Sequence, residues 1–294
     1  MNRTKIDWAD YSWNPVTGCL GPNGGGPCTY CYAKRIAARF GADTSYFDSA
    51  YPDRPHLHYI RLDVEEEFID LNFKDRNGYP MELGNLECRS LYPFNFEPTF
   101  NEYRLSEPLW AKKPSRVFVC SMGELFGNWV PDDWIRRVLA ACEAAPQHQY
   151  LFLSKNAGRY ELLFGKTTVH PNWWFGTTCD TLDHTFSMTV DDPTGAAMML
   201  LHRRGWHTWA SAEPLLEDIA PRFDMADEMI DWLVLGAMTG PGSKGGQPQR
   251  EWIANLAIAA DNHGIPVFMK RSLQTLVDEP LIQQYPRAMT KEAA

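Results

Sequence analysis

The chain has 294 residues, long enough for one (β/α) barrel or two ordinary domains, and it contains no uninterrupted apolar run of about 18 residues. A formal charge of −9 and a pI near 5.4 argue against a protein that holds nucleic acid by bulk charge, leaving room for a local basic patch. The opening MNRTKIDWADYSWNP has no apolar stretch before a small-residue cleavage site, so the expectation is a soluble, cytoplasmic protein with no membrane partner. Seven cysteines in a reducing compartment then favour metal or redox chemistry over a disulfide framework.

In chain order, a first strand is expected within IDWADYSWNP, followed by a cysteine-rich loop and a helix through KRIAARF. RVFVCSM (116–122) is a short β-branched run, and PDDWIRRVLAACEAAP is periodic, with Pro131 and Asp132 at a helix start and Pro146 at its stop. Val138, Leu139 and Cys142 form the core stripe of that helix. The strand–helix unit recurs as QYLFLSK with NAGRYELLF, WWFGTTCD with the segment after Asp183, HTWASAEPL with its successor, and DWLVLGAMTG with QREWIANLAIAADNHG. PVFMKR closes the series. Strand starts spaced by roughly 23 to 34 residues are the pitch of repeated βα units, and the count is about seven. The expected fold is α/β, a partial (β/α) barrel of about six to seven parallel strands with ligands at their C-terminal ends.

Residues 43–100 interrupt the rhythm. HLHYIRLDV and FIDLNFKDRNGYPMEL alternate, and Asn77-Gly78 is a hairpin signal, so a β-rich lid or small subdomain is expected after the first helix. The division is then 1–42 for the first βα unit with its loop, 43–100 for the insert, 101–275 for the remaining βα units and 276–294 for a C-terminal tail.

The loop GCLGPNGGGPCTYC places Cys19 nine positions before the Cys28/Cys31 pair, whose CxxC spacing lets two thiolates reach one metal centre. Its glycines permit the left-handed turns that wrap a backbone around a metal group and aim N–H groups at sulfur. Structural zinc would draw a fourth ligand from Cys88, His56 or His58; a nucleophilic thiol would need a positioned base, absent nearby; a four-iron cluster on three cysteines would keep one iron open. A loop between the first strand and first helix of a βα array is where a barrel builds its active site, which favours the open iron. A zinc- or cluster-bearing interaction protein without catalysis is the alternative.

CTYC, with aromatic Tyr30 before its last cysteine, resembles the cluster loop of radical S-adenosylmethionine (SAM) enzymes, although the first gap is eight residues instead of three. TKIDWADYSWNPVTGC, FVCSMGELFGNWVPDDWI, APQHQYLFLSKN, SAEPLLEDI, IDWLVLGAMTGPG and GIPVFMKR, in that order, resemble the phage-associated three-Cys-motif family of radical SAM-like proteins. The resemblance implies a partial barrel in which Cys19, Cys28 and Cys31 bind a [4Fe-4S] cluster. The open iron would chelate SAM, and one-electron reduction would give a 5′-deoxyadenosyl radical.

Further roles follow from strand position on that reading. Ser121, Met122 and Glu124 follow the second strand, where the SAM amino group is held; Lys155 suits a carboxylate or phosphate; the Thr177 and Thr178 hydroxyls suit ribose. Tyr30, Glu213 and Gly236 complete the expected cofactor-binding set, and Cys120 and Cys179 are candidate hydrogen-atom donors. GAMTGPGSKGG lacks the spacing of a triphosphatase loop. Expected partners are a three-Cys-motif partner protein, an electron donor such as flavodoxin or ferredoxin, and a DNA or RNA substrate. For nucleic acid, the candidate basic contacts are Lys34, Arg35, Arg39, the His202–Arg204 group, Lys270 and Arg271, and Tyr51, Tyr59 and Phe73 are candidate stacking residues.

Overall fold

The structure is a computed structural model that describes residues 1–21, 24–40, 58–62, 68–74, 80–82, 92, 94–163, 168–189, 192–240 and 243–290. The chain forms two compact units. The first comprises Met1–Arg3, Tyr11–Pro114 and Phe118–Gln147; the second comprises Thr4–Asp10, Ser115–Val117 and His148–Ala294. Among the described residues no helix is long and apolar enough to cross a membrane.

In the first unit, β1 (Asn2–Arg3) pairs antiparallel with β2 (Tyr11–Trp13). β3 (Val16–Thr17) leads into the cysteine loop, which ends at α1 (Tyr32–Phe40), the helix expected there. β4 (His58–Leu62), β5 (Phe68–Lys74), β6 (Pro80–Glu82) and β7 (Thr99–Asn101) join β3 in a five-stranded mixed sheet of order β3-β7-β4-β5-β6. β5 and β6 are antiparallel, with Lys74 opposite Pro80. The expected turn at Asn77-Gly78 lies outside the described residues, as do Tyr51, His56 and Cys88. A one-turn helix α2 (Glu107–Trp110) precedes β8 (Arg116–Val119), whose residues divide between the two units.

α3 (Asp132–Ala144) closes the first unit. Pro131 stands at its N-cap, Asp132 and Asp133 place negative charge on the positive end of its dipole, and Ala145 is its C-cap ahead of Pro146. Trp134, Ile135, Val138, Leu139 and Cys142 are buried, a stripe set by the helical period.

The second unit carries the parallel sheet. β9 (Gln149–Ser154), β10 (Trp173–Thr178), β11 (His207–Ala212), β12 (Leu233–Leu235) and β13 (Val267–Met269) lie side by side in chain order, each parallel to the next. Every residue of β10, β12 and β13 is buried, which is why these strands read as apolar runs instead of alternating ones. α4 (Thr194–Arg203) follows β10, and α5 (Arg250–Asn262) follows β12 and stops just before Gly264 at φ 67°.

Short 3₁₀ turns stand where two helices are expected. After β9 the chain makes a 3₁₀ segment, Ala157–Leu163, where a methyl on Gly158 would lie 2.9 Å from Pro193 Cγ. After β11 it makes two short 3₁₀ turns, Ala220–Arg222 and Ala226–Glu228. Pro221 removes an amide there, and the Asp218 side chain accepts the Ala220 N–H, so local turn bonds replace a helical ladder.

Packing in this unit centres on tryptophan. Trp209 lies 5.1 Å from Trp8 and 5.6 Å from Trp232, ring centre to ring centre, and its indole N–H donates to Phe152 O at 3.0 Å. Gly176 on β10 is in register with Trp209 on β11, and a methyl at Gly176 would sit 2.4 Å from the Trp209 ring. Glycine weakens a strand in general; here it is the residue that leaves room for the indole. Gly176→Ala should therefore destabilise the protein by about 1–3 kcal/mol, read as a lower melting temperature with the secondary structure retained.

Carboxylates take up two of the basic residues expected to face nucleic acid, His202 and Arg203, the first through Asp231. Asp231 accepts from His202 Nε2 (3.1 Å) and from Thr208 N (2.9 Å), with His207 Nδ1 at 3.7 Å, while Arg203 pairs with Glu228. Burial pushes the Asp231 carboxyl up, but the bonds from His202, His207 and Thr208 together hold it well below the usual carboxylate range. The bond to Asp231 raises His202 above its ordinary 6.5, against burial. The His202 contribution to stability is thus complete below about pH 6.5 and is lost as pH rises through the higher folded value; that of Asp231 is present above about pH 3.8 and is lost on acidification. Both groups are part-exposed, so denaturant midpoints should fall from pH 6 to pH 8 by the equivalent of only about 0.5–1 kcal/mol, and Asp231→Asn should flatten that slope.

Candidate metal centre and strand-end groups

The first unit builds its centre around two backbone approaches. Gly18 and Gly123 form a parallel bridge, and Gly18 N–H donates to Met122 O at 3.0 Å. Gly18 has φ 80°, and a methyl on it would lie 2.2 Å from Glu97 O. Cys19 N–H donates to Phe96 O at 3.1 Å, so the first cysteine is held by main chain from two sides. At the other end of the loop, Cys31 N–H donates to Cys28 O at 3.0 Å, a turn that starts α1 and brings the CxxC pair together.

Amide donors meet two of the sulfurs. Gly21 N–H points at Cys19 Sγ (3.1 Å) and Lys34 N–H at Cys31 Sγ (3.3 Å). Cys19, Cys28 and Cys31 are all half-buried, and Tyr30 beside them is also half-buried. Burial pushes the Cys19 thiol up to about 12, and the Glu124 carboxylate and the other two cysteines add to the rise. Among the described residues no three His, Cys, Asp or Glu side chains converge on one ion position. Three half-buried thiols on one glycine loop, with N–H donors on two sulfurs, fit a [4Fe-4S] group.

The residues expected after the second strand surround this loop. Ser121 and Met122 are buried and tied to Asn14, whose Oδ1 accepts from Ser121 Oγ (3.2 Å) and Met122 N (2.9 Å). Met122 packs with Ala33, Ala37 and Tyr92, against which Cys31 and Phe96 also rest. Burial and the nearby Cys31 raise the Tyr92 hydroxyl above the ordinary phenol range. Tyr32 OH donates to Ser121 O, and the buried Glu124 carboxylate accepts the Phe126 N–H at 3.0 Å.

Cys120 and Cys179, singled out as hydrogen-atom donors, are buried. Cys120 has φ 56°, its N–H donates to Trp13 O at 2.7 Å, and burial pushes its thiol up to about 12. Cys179 is likewise pushed up to about 12 by burial and by Asp180.

In the second unit the strand ends carry paired charges. Lys155, just past β9, donates to Asp180 Oδ2 at 2.7 Å, and the other Asp180 oxygen lies 2.9 Å from His184 Nδ1. Asp180 is 3% exposed at its side chain and His184 64%, so a buried carboxylate supports an accessible imidazole. Glu213, past β11 and before a cis peptide to Pro214, pairs with Lys270 just past β13. Gly236 lies beneath this pair: a methyl there would meet Glu213 Cγ at 3.0 Å and Lys270 Cδ at 3.2 Å. Thr177 and Thr178 are both buried.

Asn14, Asp180, His184 and the partnership of Lys270 with Glu213 escape a sequence reading. Asp180 directly after an apolar strand, with a histidine four residues on, is the one local signal among them. Lys270→Met should destabilise by about 1–3 kcal/mol in denaturant unfolding, because it leaves a partly buried carboxylate without its counter-charge. Lys270→Met with Glu213→Gln should cost less than the sum of the single changes; simple additivity would mean that the pair does not act as one.

Among solved structures, the chain is similar to spore photoproduct lyase complexed with dinucleoside spore photoproduct, with a TM-score of 0.51 at 10% identity over 91% of this chain and 78% of that one. A point mutant of spore photoproduct lyase matches with a TM-score of 0.50 at 11% identity over the same shares. At such identities the likeness is one of fold, the mostly parallel α/β fold described above. No curated protein sequence matches the chain. A family model spans residues 3–280, and the chain belongs to that family, described as Protein of unknown function (DUF5131).

Proposed function

We propose that this protein is a radical SAM enzyme that holds a [4Fe-4S] cluster on Cys19, Cys28 and Cys31. The observation that carries the reading is the glycine-rich loop between β3 and α1, with its three half-buried thiols and its amide donors on Cys19 and Cys31. When bound, the cluster and SAM supply one-electron cleavage chemistry able to activate a C–H bond. The chain's own residues provide the setting. The three thiolates hold the cluster, Met122 and Tyr92 shield the side of the loop nearest α1, and Ser121 and Glu124 offer oxygens to an ammonium group. Lys155, Thr177, Glu213 and Gly236 are the ligand-facing residues of the second unit on this reading, at the strand ends where such folds bind. Cys120 and Cys179, being buried, would serve as hydrogen donors only to a substrate radical brought against them.

The substrate we propose is a DNA or RNA base that is repaired or modified. Spore photoproduct lyase, a protein of similar fold, is complexed with dinucleoside spore photoproduct. α1 supports this independently: Lys34, Arg35 and Arg39 are exposed on a helix that contains no acid. The basic groups of the second unit are balanced by Asp231, Glu228 and Glu213, so binding by the chain alone should be weak and salt-sensitive. A three-Cys-motif partner protein supplying further cations and an electron donor such as flavodoxin or ferredoxin complete the proposal.

Anaerobically prepared protein should be brown with about four irons per chain, and Cys19→Ala, Cys28→Ala and Cys31→Ala should each lose the colour. Reduction in the presence of SAM should release 5′-deoxyadenosine. A colourless protein carrying zinc, or full iron content in Cys28→Ala, would overturn the reading in favour of a non-catalytic interaction protein. Nucleic-acid binding at low salt should weaken when Lys34, Arg35 and Arg39 are changed to Gln; binding that ignores these changes removes the substrate class.

A further inference from the structure

We infer that Trp129 is a positioning residue for the cluster loop, fixing Gly21 so that the Gly21 amide stays on the Cys19 sulfur. The inference rests on the cluster reading and deepens it by naming the side chain that sets one ligand.

The contact chain is short. Trp129 Nε1–H donates to Gly21 O at 2.7 Å, bridging two loops that are 108 positions apart in sequence. Gly21 N–H in turn donates to Cys19 Sγ at 3.1 Å. The same Gly21 carbonyl accepts Gly24 N–H at 3.2 Å, and Gly26 N–H donates to Leu20 O at 2.7 Å, so the loop folds back on itself at this point. Gly21 has φ 83°, and a methyl on it would lie 2.1 Å from Gly26 O, which makes glycine a requirement of the turn.

The other side of the contact is equally constrained. A methyl on Gly127 would lie 2.6 Å from Trp129 Cε2 and 2.7 Å from Nε1, so the bare backbone at Gly127 is what admits the indole in this orientation. Val130 N–H donates to Gly127 O at 2.9 Å, closing a turn that leads directly into α3. The indole is therefore mounted on a turn rooted in a helix with a buried face, and it reaches a loop made mostly of glycine and proline. A glycine loop has large conformational freedom to lose, and one directed bond from a rigid element removes much of it.

N–H donors to cluster sulfurs are one of the protein's levers on reduction potential, because they favour the more electron-rich state. Loss of the Trp129 bond should loosen Gly21, weaken its amide on Cys19 and move the potential to more negative values. It should also open the cluster to oxygen.

The test uses the full chain, loaded anaerobically with iron and sulfide, in wild-type, Trp129→Phe and Gly127→Ala forms. Trp129→Phe keeps a ring and removes the N–H; Gly127→Ala keeps the indole and displaces it. Both should load iron, show a more negative midpoint potential in a spectroscopic titration, and bleach in air about fivefold faster, the equivalent of one ordinary hydrogen bond. Trp110→Phe, at a tryptophan that is 71% exposed, should change neither quantity. Wild-type protein that binds no iron would overturn the cluster reading and this one with it. Wild-type protein that binds iron, with folded variants matching it in potential and bleaching, would overturn the role of Trp129 alone. Should Trp129→Phe fail to fold, as judged by circular dichroism, Gly127→Ala carries the same comparison.

Discussion

In the first unit, Gly18 and Gly123 meet backbone to backbone, and the placement of the cysteine loop follows from that approach. A side chain on either residue would collide with main-chain oxygen, at 2.2 Å for Gly18 and 2.9 Å for Gly123. Their contact ties the entry of the loop to the segment that leaves β8. Asn14 then satisfies the Met122 amide, Glu124 the Phe126 amide, and Phe96 O the Cys19 amide. With these amides paired to side-chain and main-chain oxygens, those of Gly21 and Lys34 point at sulfur. The setting of the loop is thus a product of hydrogen bonding to its backbone as much as of the cysteines.

The second unit meets a different constraint. Ionised groups close to buried strand ends are costly unless paired, and the unit answers with Lys155 on Asp180 and Lys270 on Glu213. Each of these strand-end cations is thereby matched by a carboxylate, in a chain whose formal charge is −9.

Much of the parallel sheet is legible in the sequence because strands buried on both faces become apolar runs with regular spacing, as WWFGTT and LVL illustrate. Helix limits are legible where proline or glycine marks them, at Pro131, Pro146 and Gly264. The helix expected after β11 fails because Asp218 takes the Ala220 amide and Pro221 has no amide to give, a competition that periodicity does not register. In the candidate site, the cysteine spacing advertises metal chemistry, and spacing alone leaves zinc and a cluster both open. Asn14 and Trp129 stay hidden for one physical reason: each acts on a group brought near by the fold, at a separation of 108 positions that no local pattern encodes. Lys270 reads as a free cation until register places it over Gly236 beside Glu213.

The fit of Trp209 above Gly176 has a consequence for how the chain can diverge. Because the indole occupies the space a β-carbon at 176 would need, neither position is free to drift by itself. An alanine at 176 becomes acceptable once residue 209 has shrunk, and a smaller residue at 209 leaves a void until 176 has grown. Trp8 and Trp232, which pack edge-on or tilted against the same ring, inherit the restriction. Related chains should therefore exchange this tryptophan in concert with its glycine, and a homologue with a larger residue at 176 should carry a compact one at 209.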